Sequence, residues 1–148
     1  MRIRLAKLVS DFVSLARYQI PERVELRMDI PDDLECRLPE GGMRQALWNL
    51  VLNSVQAIGD DGGQIEIGAT CQAGWLRLEV VDDGPGFPRE FLEAGVRSFA
   101  SLRAGGTGLG LPTVRRFARD LGGELRFDNL MPHGASVVLA LPCQEIHV

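Results

Sequence analysis

The acidic pair Asp82-Asp83 runs straight into Gly84-Pro85-Gly86, and twenty residues after Gly86 the run Gly106-Thr107-Gly108-Leu109-Gly110-Leu111 opens a helical pattern. An ionised carboxylate only accepts hydrogen bonds, so it suits the exocyclic amine of adenine and repels the oxygen that guanine carries there. The amides of a glycine loop, at the positive end of a helix, suit phosphate. Upstream, Asn49 and Asn53 stand at i and i+4 in an apolar run. An amide oxygen is a hard ligand that Mg²⁺ accepts alongside waters and phosphates. In this order and spacing the three segments describe a nucleotide site. Each alone also has an ordinary reading: turn residues, surface or capping asparagines, a flexible glycine loop.

The elements that must position these residues are legible. Leu76, Leu78 and Val80 alternate along a strand pattern, and Asp82 has the same parity, which predicts a carboxylate at the mouth of the core. Gly84 and Gly86 let the chain turn away and a flat ring approach. Met43, Ala46, Leu47, Leu50, Ser54 and Ile58 form one helical stripe, with Asn49 and Asn53 on its shoulder. Asparagine is a poor helix former, so two of them mid-helix need a reason. Leu109 and Leu111 anchor the helix that the glycine loop opens. That loop is not a P-loop, because no Lys-Ser/Thr follows, and no βαβ unit makes it a dinucleotide fingerprint.

Along the rest of the chain the patterns predict a helix over 3–18, strands over 24–30 and 34–38, and a helix over 43–58. A hairpin over 64–70 and 75–82, a short helix near 89–95 and a helix over 109–121 ended by Gly122-Gly123 come next. Strands over 124–127 and 135–141 close the chain. The sum is an α+β two-layer sandwich, a mixed and mostly antiparallel sheet covered on one face by helices. Residues 1–20 read as a junction with the first helix, and 21–148 as the body of a single domain.

With 148 residues and a net charge of −4, the chain is an ordinary globular domain with no expected nucleic-acid partner. Cys36, Cys71 and Cys143 lie far apart with no CxxC, which predicts reduced thiols in a cytoplasmic protein. The uncharged run from Gln45 to Gly59 is too short and too rich in amides to span a bilayer, and no signal-peptide pattern is present. No membrane contact is expected. The helical pattern begins almost at Met1, so a piece of a longer protein is expected.

These segments resemble the catalytic ATP-binding domain of bacterial sensor histidine kinases, in the superfamily of gyrase, Hsp90, histidine kinases and MutL. Residues 45–57, QALWNLVLNSVQA, resemble the N box, 82–86, DDGPG, the G1 box, Phe99 the F box, and 106–111, GTGLGL, the G2 box. Gly134 and Leu141-Pro142 resemble the closing strand. The NSVQA form and the short lid are similar to the nitrogen-regulator branch. The resemblance implies the Bergerat sandwich and MgATP as cofactor. It implies that Asp82 binds adenine, with Gly84, Gly86 and Phe99 among the nucleotide-binding residues. Asn53 would ligate Mg²⁺ with Asn49 assisting, and Gly106, Thr107, Gly108, Leu109 and Gly110 would hold the phosphates. Residues 87–105 would be the ATP lid, with Arg103 near the γ-phosphate. The implied partners are the dimerisation and histidine-phosphotransfer domain of the parent kinase and a response regulator receiver. Ser54 in place of the usual Ala, and a single aromatic at Phe99, depart from the pattern.

Hydrolysing relatives and serine kinases of this superfamily carry a Glu four residues before the metal asparagine. Asn49 stands there instead and cannot take a proton, which resembles the histidine kinases, whose substrate imidazole is already a nucleophile. Positioning and neutralising the phosphates is then the main task. His133 and His147 sit in a loop and a tail, not on a helix before an acidic residue, so the phosphoacceptor is expected on a separate domain. The alternative is a non-catalytic or serine-kinase-type ATP-binding regulatory module of the same fold.

Overall fold

The structure, a computed structural model, describes residues 2–89, 92 and 110–143. Its elements run β1 (Arg2–Arg4), α1 (Leu5–Ala16), β2 (Val24–Asp29), β3 (Glu35–Arg37) and α2 (Glu40–Ile58), then a 3-10 turn (Gly59–Asp61). β4 (Gly63–Gln72), β5 (Trp75–Asp82), α3 (Gly110–Asp120), β6 (Glu124–Asn129) and β7 (Ala135–Pro142) complete the order.

Five strands form the main sheet in the order β2-β4-β5-β7-β6. β2 runs parallel to β4, and every other pairing is antiparallel. A parallel pair needs a long crossover, and β3 with α2 supplies it. The β4–β5 hairpin closes at Ala73-Gly74, both with positive φ (54° and 82°), the two-residue turn that matches strand twist. Among the described residues three helices pack on one face: α1 on β2, α2 on β4 and β5, α3 on β6 and β7. Leu26, Ile65, Ile67, Leu78, Leu139 and Leu141 point into that layer and are buried. The other face carries exposed Arg–Glu pairs such as Arg27–Glu25 and Arg126–Glu124, both at 2.8 Å. Such solvated pairs contribute little. The expected mixed, mostly antiparallel two-layer sandwich is the observed fold.

Two details differ from the sequence patterns. Residues 2–4 are not helical: they pair antiparallel with β3, with Ile3 opposite Cys36 and Arg4 3.8 Å from Glu35. A partner distant in sequence, invisible to periodicity, decides that. α2 starts at Glu40, right after Pro39, three residues before Met43. Gly41 and Gly42 hid this turn because glycine is a weak helix former. Gly42 is there for packing: a Cβ on it would collide with Cε1 of Phe117 on α3. The short helix near 89–95 falls almost wholly outside the described residues. α1 belongs to the same core as the sheet, through Leu5, Leu8, Val9, Phe12 and Val13.

Among the described residues no helix is long and apolar enough to cross a membrane.

Candidate functional site

β5 alternates as its sequence predicts. Leu76, Leu78 and Val80 are buried, and Asp82, on the same face, is 3% exposed. It is the last residue of the strand, flanked by Ile65 of β4 and Ala135 of β7. Its Oδ1 accepts the Gly84 N–H at 3.0 Å. A carboxylate bonded to its own chain two residues on cannot swing away. At Gly84 a side chain would be crowded, since a Cβ there would stand 3.1 Å from Asp82 Oδ1 and 3.3 Å from the Ala57 carbonyl oxygen. The second contact seats the turn against the last turn of α2.

The neighbouring acid plays a different part. Asp83 Oδ1 accepts the Gln64 N–H at 2.9 Å, and the Asp83 N–H donates to the Gln64 carbonyl at 3.3 Å. Asp83 therefore pins the start of β4.

On α2, Asn49, Asn53 and Ala57 follow at i, i+4 and i+8 along one shoulder. Asn49 is half-buried, and Asn53 is 8% exposed. Gly110, the first residue of α3, lies against Asn49: its Cβ would stand 3.6 Å from Asn49 Cβ and 3.7 Å from Asn49 Oδ1. Seven residues earlier on α2 and seven later on α3, Gly42 meets Phe117. The helices are thus antiparallel, and the N-terminus of α3 is delivered to Asn49. The row of three residues begins there and ends at the Asp82–Gly84 turn. Eight residues of helix span about 12 Å, with Asn53 midway. One end holds a buried carboxylate and the other the positive end of a helix. A molecule with a donor-bearing ring at one end and an anionic chain at the other matches that polarity.

The structure brings Asp82, Gly84, Asn49, Asn53 and Gly110, each named from the sequence, onto one line. Gly86 is close by, but what approaches it is protein: with φ at +90°, its Cβ would lie 2.8 Å from Asn129 Oδ1 and 3.1 Å from the Gly134 carbonyl oxygen. Phe99, Arg103, Gly106, Thr107, Gly108 and Leu109 lie outside the described residues. Two residues were missed. Asn129 bonds both main-chain groups of Phe87. His133, read as an incidental loop histidine, has its Nδ1 3.0 Å from the Asp83 carbonyl oxygen. For Asn129 a signal existed: Leu125, Phe127 and Asn129 share parity, as Leu78, Val80 and Asp82 do.

Among the described residues no group of three or more His, Cys, Asp and Glu side chains is placed to hold a metal. The donor set at the middle of the row is a pair of neutral amides. That fits a hard cation held chiefly by phosphates and waters with one protein oxygen, and it does not fit zinc.

Residues 39–145 match the family of histidine kinase-, DNA gyrase B-, and HSP90-like ATPases. The chain belongs to that family. It is 34% identical to sensor histidine kinase ZraS of Escherichia coli O157:H7 over 120 residues, 80% of this chain and 26% of ZraS. It is 34% identical to sensory histidine kinase/phosphatase NtrB of Klebsiella oxytoca over 145 residues, 88% of this chain and 38% of NtrB. The catalytic domain of histidine kinase ThkA superposes with a TM-score of 0.84 at 26% identity, covering 96% of this chain and 94% of that one. ThkA in complex with response regulator protein TrrA matches at TM-score 0.76 and 21% identity, covering 97% of this chain and 42% of that one. The chain thus has the sequence and fold of a histidine-kinase ATP-binding domain, and the family is one of ATP-binding proteins. It spans only about a quarter of ZraS and under two-fifths of NtrB.

Proposed function

We propose that this chain is the catalytic part of a sensor histidine kinase that transfers the γ-phosphate of ATP to a histidine on a separate dimerisation and phosphoacceptor domain. The observation that carries this reading is Asn49. It faces the N-terminus of α3, at the phosphate end of the row, and it cannot act as a base. A hydrolase or serine kinase needs a carboxylate there to take a proton from water or a hydroxyl. A neutral imidazole needs none, so positioning and charge neutralisation suffice.

In this reading Asp82 accepts the adenine amine, and its burial and bond to Gly84 hold the acceptor still. Asn53 gives its amide oxygen to Mg²⁺, with Asn49 beside it. The ion would neutralise phosphate charge. The amides of 106–110 take the phosphates, Phe99 packs near the nucleotide and Arg103 meets the γ-phosphate. Residues 1–20 form the junction to the phosphoacceptor part, and 21–148 the catalytic body. The phosphorylated domain then serves a response regulator receiver, and the whole acts in the cytoplasm.

The isolated chain should bind MgATP, scarcely hydrolyse it and not label itself. Mixed with its phosphoacceptor domain and γ-labelled ATP, it should give an acid-labile label on that domain. Asn53→Ala should abolish the label while the circular-dichroism spectrum stays unchanged. Acid-stable label on serine, or fast hydrolysis by the chain alone, would overturn this reading. Binding without transfer to the supplied domain would favour a regulatory module.

A further inference from the structure

The turn that carries Asp82 is held from outside by the end of β6 and the loop that follows it. Residues 130–134 join β6, which ends at Asn129, to β7, and the Leu130 N–H donates to the Gly134 carbonyl at 2.9 Å, bracing the loop internally. Asn129, His133 and Gly134 all reach residues 82–87. Asn129 Oδ1 accepts the Phe87 N–H at 2.7 Å, and Asn129 Nδ2 donates to the Phe87 carbonyl at 3.0 Å. The amide thereby stands in for a strand partner, satisfying both main-chain groups of one residue. His133 Nδ1, which must carry the proton to meet a carbonyl, donates to Asp83 O at 3.0 Å. Gly134, with φ at +112°, passes so close that a Cβ on it would lie 2.6 Å from the Asp82 carbonyl oxygen.

The same clamp explains two features beyond itself. Gly86 has no room for a side chain because Asn129 Oδ1 occupies that space. Phe87 is buried, and its ring meets Phe127 of β6 edge-on, with centroids 5.4 Å apart at 84°. The far end of the Asp82–Phe87 turn is therefore fixed by β6 and its loop, as the near end is fixed by β5. Two hydrogen bonds from one side chain converge on Phe87 at that far end.

Resting on ATP binding at Asp82, we propose that Asn129 is a positioning residue for adenine recognition. It touches no nucleotide. It holds Gly86-Phe87 so that the turn following Asp82 keeps its shape, and so sets the affinity for the base while leaving the phosphate end of the row alone.

The test separates base from phosphates. In the full chain, Asn129→Ala should weaken MgATP binding roughly tenfold, the scale of losing one or two positioning hydrogen bonds. Binding of Mg²⁺-tripolyphosphate, which has no base, should not change. In an Asp82→Ala background Asn129→Ala should cost ATP nothing more, because the acceptor it positions is gone. Asn129→Asp keeps the acceptor for the Phe87 N–H and loses the donor, so it should fall between, and it serves if the alanine variant does not fold. An equal loss for ATP and tripolyphosphate, or full additivity with Asp82→Ala, would overturn the positioning role. So would unchanged ATP affinity in Asn129→Ala while Asp82→Ala binds weakly. If Asp82→Ala itself binds ATP as the parent does, the fault lies in the placement of adenine, and the two failures are distinguishable.

Discussion

At the residue scale, a chemical role depends on how little freedom a side chain retains. Asp82 and Asp83 are adjacent and identical in type, yet the strand's alternation sends one into the core and leaves the other to bind Gln64. Only the first has the burial that makes a hydrogen-bond acceptor selective, since water cannot stand in for the ligand. Replacing it removes a charged acceptor, an effect of about 1.5–3 kcal/mol. We therefore expect Asp82→Ala to lower ATP affinity roughly 10- to 150-fold by calorimetric titration. An unchanged dissociation constant would reduce Asp82 to a turn residue.

At the element scale, α2 and α3 act as a pair. Their antiparallel contact, from Gly42–Phe117 to Asn49–Gly110, brings the start of α3 to the asparagine shoulder. Glycine inside a helix normally destabilises by about 0.5–1 kcal/mol relative to alanine. At Gly42 the sign should reverse, because the new methyl would run into the Phe117 ring. Gly42→Ala is expected to lower the urea midpoint. In a Phe117→Leu background, where the ring edge is gone, the same change should be neutral or stabilising. A stabilising Gly42→Ala in the parent would mean that the helices are not in this close register. The expected outcome also explains why a weak helix former opens α2: distance between elements outweighs propensity.

At the scale of the whole molecule, one core is shared by the sheet and the three described helices, so a ligand that bridges β5, α2 and α3 bridges the layers themselves. Anything that binds only the folded state stabilises it, by about 2.7 kcal/mol at a hundredfold excess over the dissociation constant. For a domain of this size that raises the melting temperature by roughly 5–10 °C. MgATP should do this in a thermal melt. Asp82→Ala should lose most of the shift at the same ATP concentration. A parent chain whose melting temperature ignores MgATP would contradict nucleotide binding across these elements.

What the sequence determined by itself was local. Alternation placed Asp82 at the core edge, helical spacing put Asn49 and Asn53 on one shoulder, and the glycine runs marked the turns, because periods of two and of 3.6 are properties of one element at a time. The sandwich followed from counting such elements and their apolar faces. Tertiary structure decided the rest. Residues 2–4 became a strand because Glu35–Arg37 lay beside them. Gly42 proved to be a packing residue because of Phe117, and Gly86 because of Asn129. Asn129, forty-two residues after Phe87, became its clamp. Each depends on which distant segment arrives at a given place. That is set by the joint burial of all the apolar faces, and no single stretch of the chain encodes it.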